Sequence, residues 1–162
     1  MNYPDVLKQL LQDGRVSLAN WFAVPLGIEQ AQAAALEIQQ RLLTGRYQQR
    51  MGIESALGEH SEGLCRDEVT IAELCKSKGY ATAAYGKWHL GYEPKFAPHL
   101  HGFDTTFYCI GGGMDYFHYL DTVAGYNLFQ DGRPIRREGY FTDLMTDEAI
   151  RFIQRQRDRP FF

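Results

Sequence analysis

The sequence contains no apolar run long enough to cross a membrane and no surplus of positive charge. A membrane-spanning helix needs about 20 consecutive apolar residues, and nucleic-acid-binding domains are usually strongly basic. Here 17 Lys and Arg are balanced by 20 Asp and Glu, which gives a net charge of −3 at pH 7. We therefore expect neither a membrane nor a nucleic-acid partner. The N-terminal stretch MNYPDVLKQLLQDGR also lacks the basic and apolar regions of a secretion signal, so the compartment stays unknown.

Cysteine is scarce, with only three residues in the chain: Cys65, Cys75 and Cys109. An odd number leaves at least one thiol without a disulfide partner inside the chain, and the spacing does not match a CxxC zinc half-site. We predict free thiols, buried or partly exposed, rather than a disulfide framework or a zinc site.

The remaining composition is that of one globular domain, and the local patterns indicate α/β architecture. Of the 162 residues, 44% are hydrophobic and 14% are aromatic, which is enough for a single core. Thr70 and Glu73 have the spacing of a helix capping box, and Gly79 is a suitable helix end. The uncharged run 80–85 follows directly and is typical of a buried strand. A helix that leads into such a strand favours α/β architecture with a parallel sheet.

The other predicted elements follow from periodicity and turn residues. Apolar residues recur at helical spacing in residues 4–13, 28–43 and 142–157, and the Asp131-Gly132 pair predicts a hairpin turn. Residues 92–123 are rich in proline and glycine, so we predict mainly loop there. A new apolar run begins at the last residues of the sequence, which predicts the start of a strand there.

The stretch GYATAAYGKWHLG, residues 79–91, places a lysine and a histidine two positions apart after the predicted strand. In an extended segment Lys87 and His89 would face the same side, with Trp88 on the other. The carboxyl ends of strands in open α/β sheets bind ligands, and an ammonium beside an imidazole suits sulfate or phosphate. From the spacing alone, a surface lysine next to a hydrogen-bonded histidine at a strand end is the simpler interpretation.

The same stretch resembles the second signature of the type I sulfatases, in which a Gly-Tyr-x-Thr run leads to Gly-Lys-Trp-His. Four further segments resemble the family in order, so that about 120 residues from Leu42 to Phe162 are similar to part of its catalytic domain. They are LLTGRYQQRMG at 42–52, DEVTIAELCKSKGY at 67–80, HGFDTTFY at 101–108 and DLMTDEAIRFIQRQRDRPFF at 143–162.

This resemblance implies an alkaline-phosphatase-like fold, with a mixed, mainly parallel sheet flanked by helices. Members of the family hydrolyse sulfate esters with a formylglycine made from cysteine and with a calcium ion that polarises the sulfate oxygens. By analogy, Lys87 contacts the sulfate and the formylglycine hydrate, and His89 hydrogen-bonds that hydrate. A sulfated small molecule or glycan is the implied partner. Relatives are often exported.

The N-terminal part departs from the family pattern. The family's cysteine and arginine positions correspond to Ala35 and Gln39, and Glu37 stands in place of the usual proline. Residues 1–41 also lack the family's Asp-Asp calcium pair, so no metal ligand can be assigned in the chain. We predict a divergent helical segment at 1–41 and a partial catalytic domain at 42–162, truncated at its C-terminus.

Three interpretations of function follow. The first is a fragment of a sulfatase, inactive as this chain alone, whose parent hydrolyses a sulfate ester. The second is a non-catalytic module that binds sulfated carbohydrate through Lys87. The third is a phosphoester hydrolase relative with a hydroxyl nucleophile, although Ala35 supplies no hydroxyl.

The loop GGGMDYFHYLD, residues 111–121, is a second candidate region. It brings Asp115, His118 and Asp121 together in sequence, a set that suits metal or acid–base chemistry. In sulfatase-like chains this loop lies near the mouth of the cleft, so His118 is a candidate substrate-binding residue. A solvated aromatic loop is the simpler interpretation of the same residues.

Overall fold

A computed structural model describes residues 39–51, 57, 60–111, 113–121 and 124–162. The helices in these ranges are α1 at 39–44, α2 at Ile71–Ser77 and α3 at Phe141–Arg155. The strands are β1 at Ala83–Lys87, β2 at Thr105–Cys109, β3 at Leu120–Asp121, β4 at Gly125–Tyr126, β5 at Phe129–Gln130 and β6 at Arg133–Pro134. Short 3₁₀ helices lie at Gln48–Met51, Pro94–Phe96 and Pro98–Leu100. The helix predicted at 4–13 and most of the one predicted at 28–43 lie outside the described residues.

The main sheet has the strand order β1-β2-β5-β6 and is mixed. Strands β1 and β2 are parallel over five residue pairs, from Ala83 opposite Thr105 to Lys87 opposite Cys109. The β2–β5 and β5–β6 pairings are antiparallel. Beyond the other edge of β1, Phe161 forms a parallel bridge with Ala81, which places the last apolar run of the chain beside this strand. The predicted mixed, mainly parallel sheet is confirmed.

The two faces of the sheet are buried under different helices. Side chains alternate along a strand, so Tyr108 belongs to one apolar cluster while Phe107 and Cys109 belong to the other. The first cluster includes Ala72 of α2, and the second includes Phe141 of α3. The sheet therefore lies between two helical layers, as expected of an α/β fold.

Helix α2 begins as its sequence predicts. The Thr70 side chain accepts a hydrogen bond from the Glu73 backbone N–H at 3.2 Å, and the Glu73 carboxylate accepts one from the Thr70 N–H at 2.7 Å. Gly79 adopts φ +83° directly after the C-cap residue Lys78. This capping box fixes the residue at which α2 begins, and α2 leads into β1.

The hairpin was predicted correctly, but β2 was not. Asp131 and Gly132 both have positive φ, 48° and 79°, at the turn between β5 and β6. The prediction of mainly loop at 92–123 was wrong at Thr105–Cys109, which forms the strand next to β1. A five-residue strand between Gly102 and Gly111 leaves little periodicity in the sequence to detect.

Two arginines near α3 share one buried carboxylate. Glu148 of α3 is buried, and its Oε1 accepts hydrogen bonds from Arg137 at 3.1 Å and Arg151 at 2.6 Å. Arg136 lies over the ring of Tyr126, with its guanidinium carbon 4.9 Å from the ring centroid. The Arg137–Glu148 contact ties the segment after the hairpin to the last helix.

Candidate active site

Lys87 is the last residue of β1, at the carboxyl end of the strand, as predicted. It lies opposite Cys109 in the parallel register and is solvent-exposed. Partial desolvation lowers the pKa of its ammonium below the ordinary value, and the nearby Cys109 and Asp121 act in the opposite direction. The side chain is therefore a positive charge placed where open α/β sheets bind ligands.

His89 lies in the same region, but its backbone conformation differs from the predicted one. The strand ends at Lys87, and His89 adopts a left-handed backbone conformation with φ 51°, so the expectation of a continuous extended segment was wrong. The backbone N–H of His89 donates to the Ile110 carbonyl at 2.8 Å. Its side chain is 4% exposed, whereas Lys87 faces solvent.

The imidazole of His89 is held in its neutral form. Burial is the main cause that lowers its pKa below the ordinary value, and the positive charge of Lys87 acts in the same direction. A hydrogen bond to the backbone of Leu57 and the charge of Asp121 oppose this shift. Because the Leu57 carbonyl accepts from one ring nitrogen, the other nitrogen of the neutral ring carries the lone pair and can accept a proton.

Trp88 anchors the segment between these two residues. Its side chain is 3% exposed, and its indole Nε1–H donates to the Phe96 carbonyl at 2.7 Å. Its backbone N–H donates to the Cys109 carbonyl at 2.8 Å. The ring also packs edge-on against Phe103, with centroids 6.2 Å apart. The burial of Trp88 on one face fixes the positions of its neighbours on either side.

The structure separates the three polar residues of the 111–121 loop. Asp121 acts electrostatically on both Lys87 and His89, whereas His118 is 78% exposed at its side chain. The Nδ1 atom of His118 lies 2.8 Å from Oδ1 of Asp115. The spacing in the sequence predicted one cluster, because it could not show that the two-residue strand β3 turns Asp121 away from the other two.

His118 lines a groove of about 610 Å³ that also includes Phe117, Tyr126 and Arg136. Aromatic faces and a guanidinium are groups that contact sugar rings and sulfates. The role of His118 in substrate binding remains a prediction.

A second cavity, of about 310 Å³, lies beside Lys87. It is bounded by β1, by Phe162 and by Gln39 and Leu42 of α1. Gln39 is the residue that the resemblance aligns with the arginine of the family's first signature. Helix α1 and the lysine of the second signature therefore border one cavity, although Ala35 itself lies outside the described residues.

The described residues do not fit a calcium ion. Within them no group of three or more His, Cys, Asp or Glu side chains is arranged to hold a metal. The three cysteines are free thiols, and burial raises the pKa of the Cys109 thiol to about 11. The described part of the chain also contains no helix that is long and apolar enough to cross a membrane.

Comparison with known proteins assigns the family. The sulfatase family model matches residues 37–162. Among curated proteins, the chain is 36% identical over 146 residues to N-acetylgalactosamine-6-sulfatase of Mus musculus, covering 75% of this chain and 28% of that protein. It is 44% identical over 117 residues to arylsulfatase A of Bos taurus, covering 70% and 21%. The chain thus spans less than a third of the length of these relatives.

Solved structures agree with this assignment. The structure of Ps i-CgsB in complex with k-i-k-neocarrahexaose is similar with a TM-score of 0.69 and 30% identity, over 78% of this chain and 32% of that one. BT4656 in complex with its substrate D-glucosamine-2-N,6-O-disulfate gives a TM-score of 0.57 and 29% identity, over 88% and 25%. With the family model, the curated relatives and the solved structures in agreement, the chain belongs to the sulfatase family.

Proposed function

We propose that residues 42–162 are part of a sulfatase catalytic domain, in which Lys87 and His89 form the end of the site that binds the sulfate group. The observation that carries this proposal is the exposed ammonium of Lys87 beside the buried, neutral His89 at the carboxyl end of a parallel strand. A sulfated carbohydrate is the proposed substrate class of the parent domain. Relatives named for N-acetylgalactosamine 6-sulfate and N-acetylglucosamine 6-O-sulfate support this class.

The two side chains suit a sulfate monoester. Lys87 neutralises the single negative charge of the ester and donates hydrogen bonds to its oxygens. His89, neutral and oriented by its bond to Leu57, can take a proton from a hydroxyl that approaches the sulfur. His118, across the loop, is proposed to contact the sugar rather than the sulfate.

We propose further that this chain alone binds sulfate esters without hydrolysing them. Ala35 stands where the family has the cysteine that becomes formylglycine, and loss of a covalent nucleophile removes the step that makes the chemistry accessible. The described residues also offer no calcium site. In the parent enzymes formylglycine supplies the nucleophile and calcium the Lewis acid, while Lys87 and His89 would orient the sulfate.

An NMR titration of the full chain with N-acetylgalactosamine 6-sulfate tests binding, with the unsulfated sugar as reference. We expect shifts at Lys87 and His89 with the sulfated sugar only. Lys87→Ala should weaken binding about tenfold or more, because it removes the neutralising charge. Lys78→Ala is the matched control, since Lys78 is an exposed lysine at the end of α2 and should leave the affinity unchanged.

Turnover is measured in the same samples with 4-nitrophenyl sulfate, with and without added calcium. No release of 4-nitrophenol above the background rate is expected in either case. Steady hydrolysis that Lys87→Ala abolishes would show that the chain is a complete enzyme and would contradict the proposed inactivity. Equal binding of sulfated and unsulfated sugar would contradict the sulfate site.

A further inference from the structure

We propose that Asp121 is a positioning residue of this site, whose carboxylate lies against Gly111 beside Tyr92 and acts on the neighbouring side chains of His89 and Lys87. This inference deepens the proposed function and rests on it only for the identity of the ligand. The sequence names Asp121 only as one of a set with Asp115 and His118, and the comparisons assign it no role.

The backbone around Asp121 is fixed by local structure. Asp121 pairs with Gly125 across the short β3–β4 ribbon, and its Oδ1 accepts a hydrogen bond from the Ala124 N–H at 2.9 Å. A carboxylate that bonds the backbone three residues on is a turn-forming contact. One of its two oxygens is thereby used in the loop, and the second is directed toward the end of β2.

The second oxygen, Oδ2, lies against the backbone of Gly111. A Cβ added at Gly111 would overlap Oδ2 and would lie 3.2 Å from the hydroxyl of Tyr92, so any side chain at position 111 would displace these two groups. The ring of Tyr92 packs edge-on against the imidazole of His89, with centroids 6.2 Å apart. The Asp121 carboxylate and the Tyr92 hydroxyl therefore both lie next to Gly111, and the Tyr92 ring contacts the His89 imidazole.

The charges in this region come from three strands and one loop. Lys87 ends β1, Cys109 ends β2 and Asp121 ends β3, while His89 follows β1. Partial desolvation lowers the pKa of the exposed Lys87 and burial lowers that of His89, and Asp121 opposes the shift at each of them. Cys109 also opposes the shift at Lys87, but burial raises the pKa of this thiol to about 11, so it is neutral at pH 7.

Asp121 is thus the negative charge that opposes the effect of partial desolvation on the ammonium of Lys87. It acts through the two neighbouring side chains and not through the ligand, since one carboxylate oxygen is bonded in its own loop and the other is packed on Gly111. A carboxylate that faced the sulfate directly would repel it.

The test is the pKa of His89 in the full chain without ligand, from the pH dependence of its imidazole NMR signals. Asp121→Asn keeps the shape and removes the charge, so the pKa of His89 should fall further below its value in the unmodified chain. Asp115→Asn is the matched control: it removes an exposed carboxylate from the same loop and should leave the His89 titration unchanged. An unchanged pKa of His89 in Asp121→Asn would overturn the proposal.

A second measurement needs no variant and covers the case in which Asp121→Asn does not fold. Electrostatic coupling is reciprocal, so in the unmodified chain the carboxyl ¹³C signal of Asp121 should show an inflection at the pKa of His89. A single inflection from its own titration would rule the coupling out. Both readouts are made without a sulfated ligand, so their outcome is distinguishable from a failure of sulfate binding.

Discussion

His101 is a fully buried histidine whose two ring nitrogens have no hydrogen-bond partner among the described residues. Its ring packs against Trp88 with centroids 5.9 Å apart. Burial is the main cause that lowers its pKa from 6.5 to about 4. A neutral imidazole is thus part of the apolar support beneath the segment that carries Lys87 and His89.

This buried imidazole predicts a loss of stability in mild acid. The unfolded chain binds a proton near pH 6.5 and the folded chain only near pH 4, so acid favours unfolding between these values. The contribution to the free energy of unfolding is full above pH 6.5 and falls by roughly 3 kcal/mol by pH 4. We expect urea unfolding of His101→Phe, which keeps a ring but cannot titrate, to show a smaller fall over this window.

The comparison of the two chains at pH 8 is the control, because His101 is neutral there and only the change in packing contributes. If the free energies of both chains decline in parallel from pH 6.5 to 4, the imidazole of His101 does not cause the loss.

Single residues also show what the sequence could not predict about the site. The motif identified Lys87 and His89, because the residue types and their spacing are visible in the sequence. It did not predict that His89 is buried with φ 51°, because this depends on contacts with Leu57 and Ile110 from other parts of the chain. Asp121 could not be singled out either, because its approach to Gly111 depends on the path of the intervening loop.

Secondary-structure elements were predictable where their signals are local. Thr70 and Glu73, three residues apart, predict the start of α2, and Asp131 and Gly132 predict the turn of the hairpin. Strand β2 has no such signal: its partners are β1, more than twenty residues earlier, and β5. Non-local pairing decides that these five residues form a strand.

The capping box of α2 gives a prediction at this scale. The Thr70 hydroxyl accepts from the Glu73 N–H and donates to the His101 carbonyl at 2.8 Å, so it joins the helix to the segment before β2. Thr70→Ala should lower the free energy of unfolding by about 1–2 kcal/mol, since it removes the cap and leaves a buried carbonyl unpaired. The change is measured by urea denaturation.

Ser77→Ala is the matched control for this variant. Ser77 lies in the last turn of α2, and its exposed hydroxyl bonds only the Leu74 carbonyl within the same helix at 2.7 Å. It should alter stability by less than about 0.5 kcal/mol. Equal effects of the two substitutions would show that the capping box does not stabilise α2.

At the scale of the whole molecule, the central sheet positions the candidate site, and each face of the sheet is packed against its own apolar cluster. Lys87 and His89 flank Trp88, which is buried in the cluster under α2. Cys109, opposite Lys87, is buried in the cluster under α3. Composition and motif predicted the α/β class, but only the alternation along β2 shows that one strand joins the two cores.

A substitution in the α3 cluster should therefore be detected at Trp88 on the other face. Leu128 is fully buried in the α3 cluster, and its truncation to alanine should cost about 2–5 kcal/mol. With Trp21 replaced by phenylalanine, the tryptophan fluorescence comes from Trp88. This fluorescence and the far-UV circular dichroism should then report the same lowered urea midpoint, because the shared sheet makes unfolding cooperative. Leu74→Ala, at an exposed position of α2, is the control and should shift both midpoints little. If Leu128→Ala moved the circular dichroism midpoint and left that of Trp88 in place, the two faces would unfold independently. The support of the proposed sulfate site would then come from the α2 side alone.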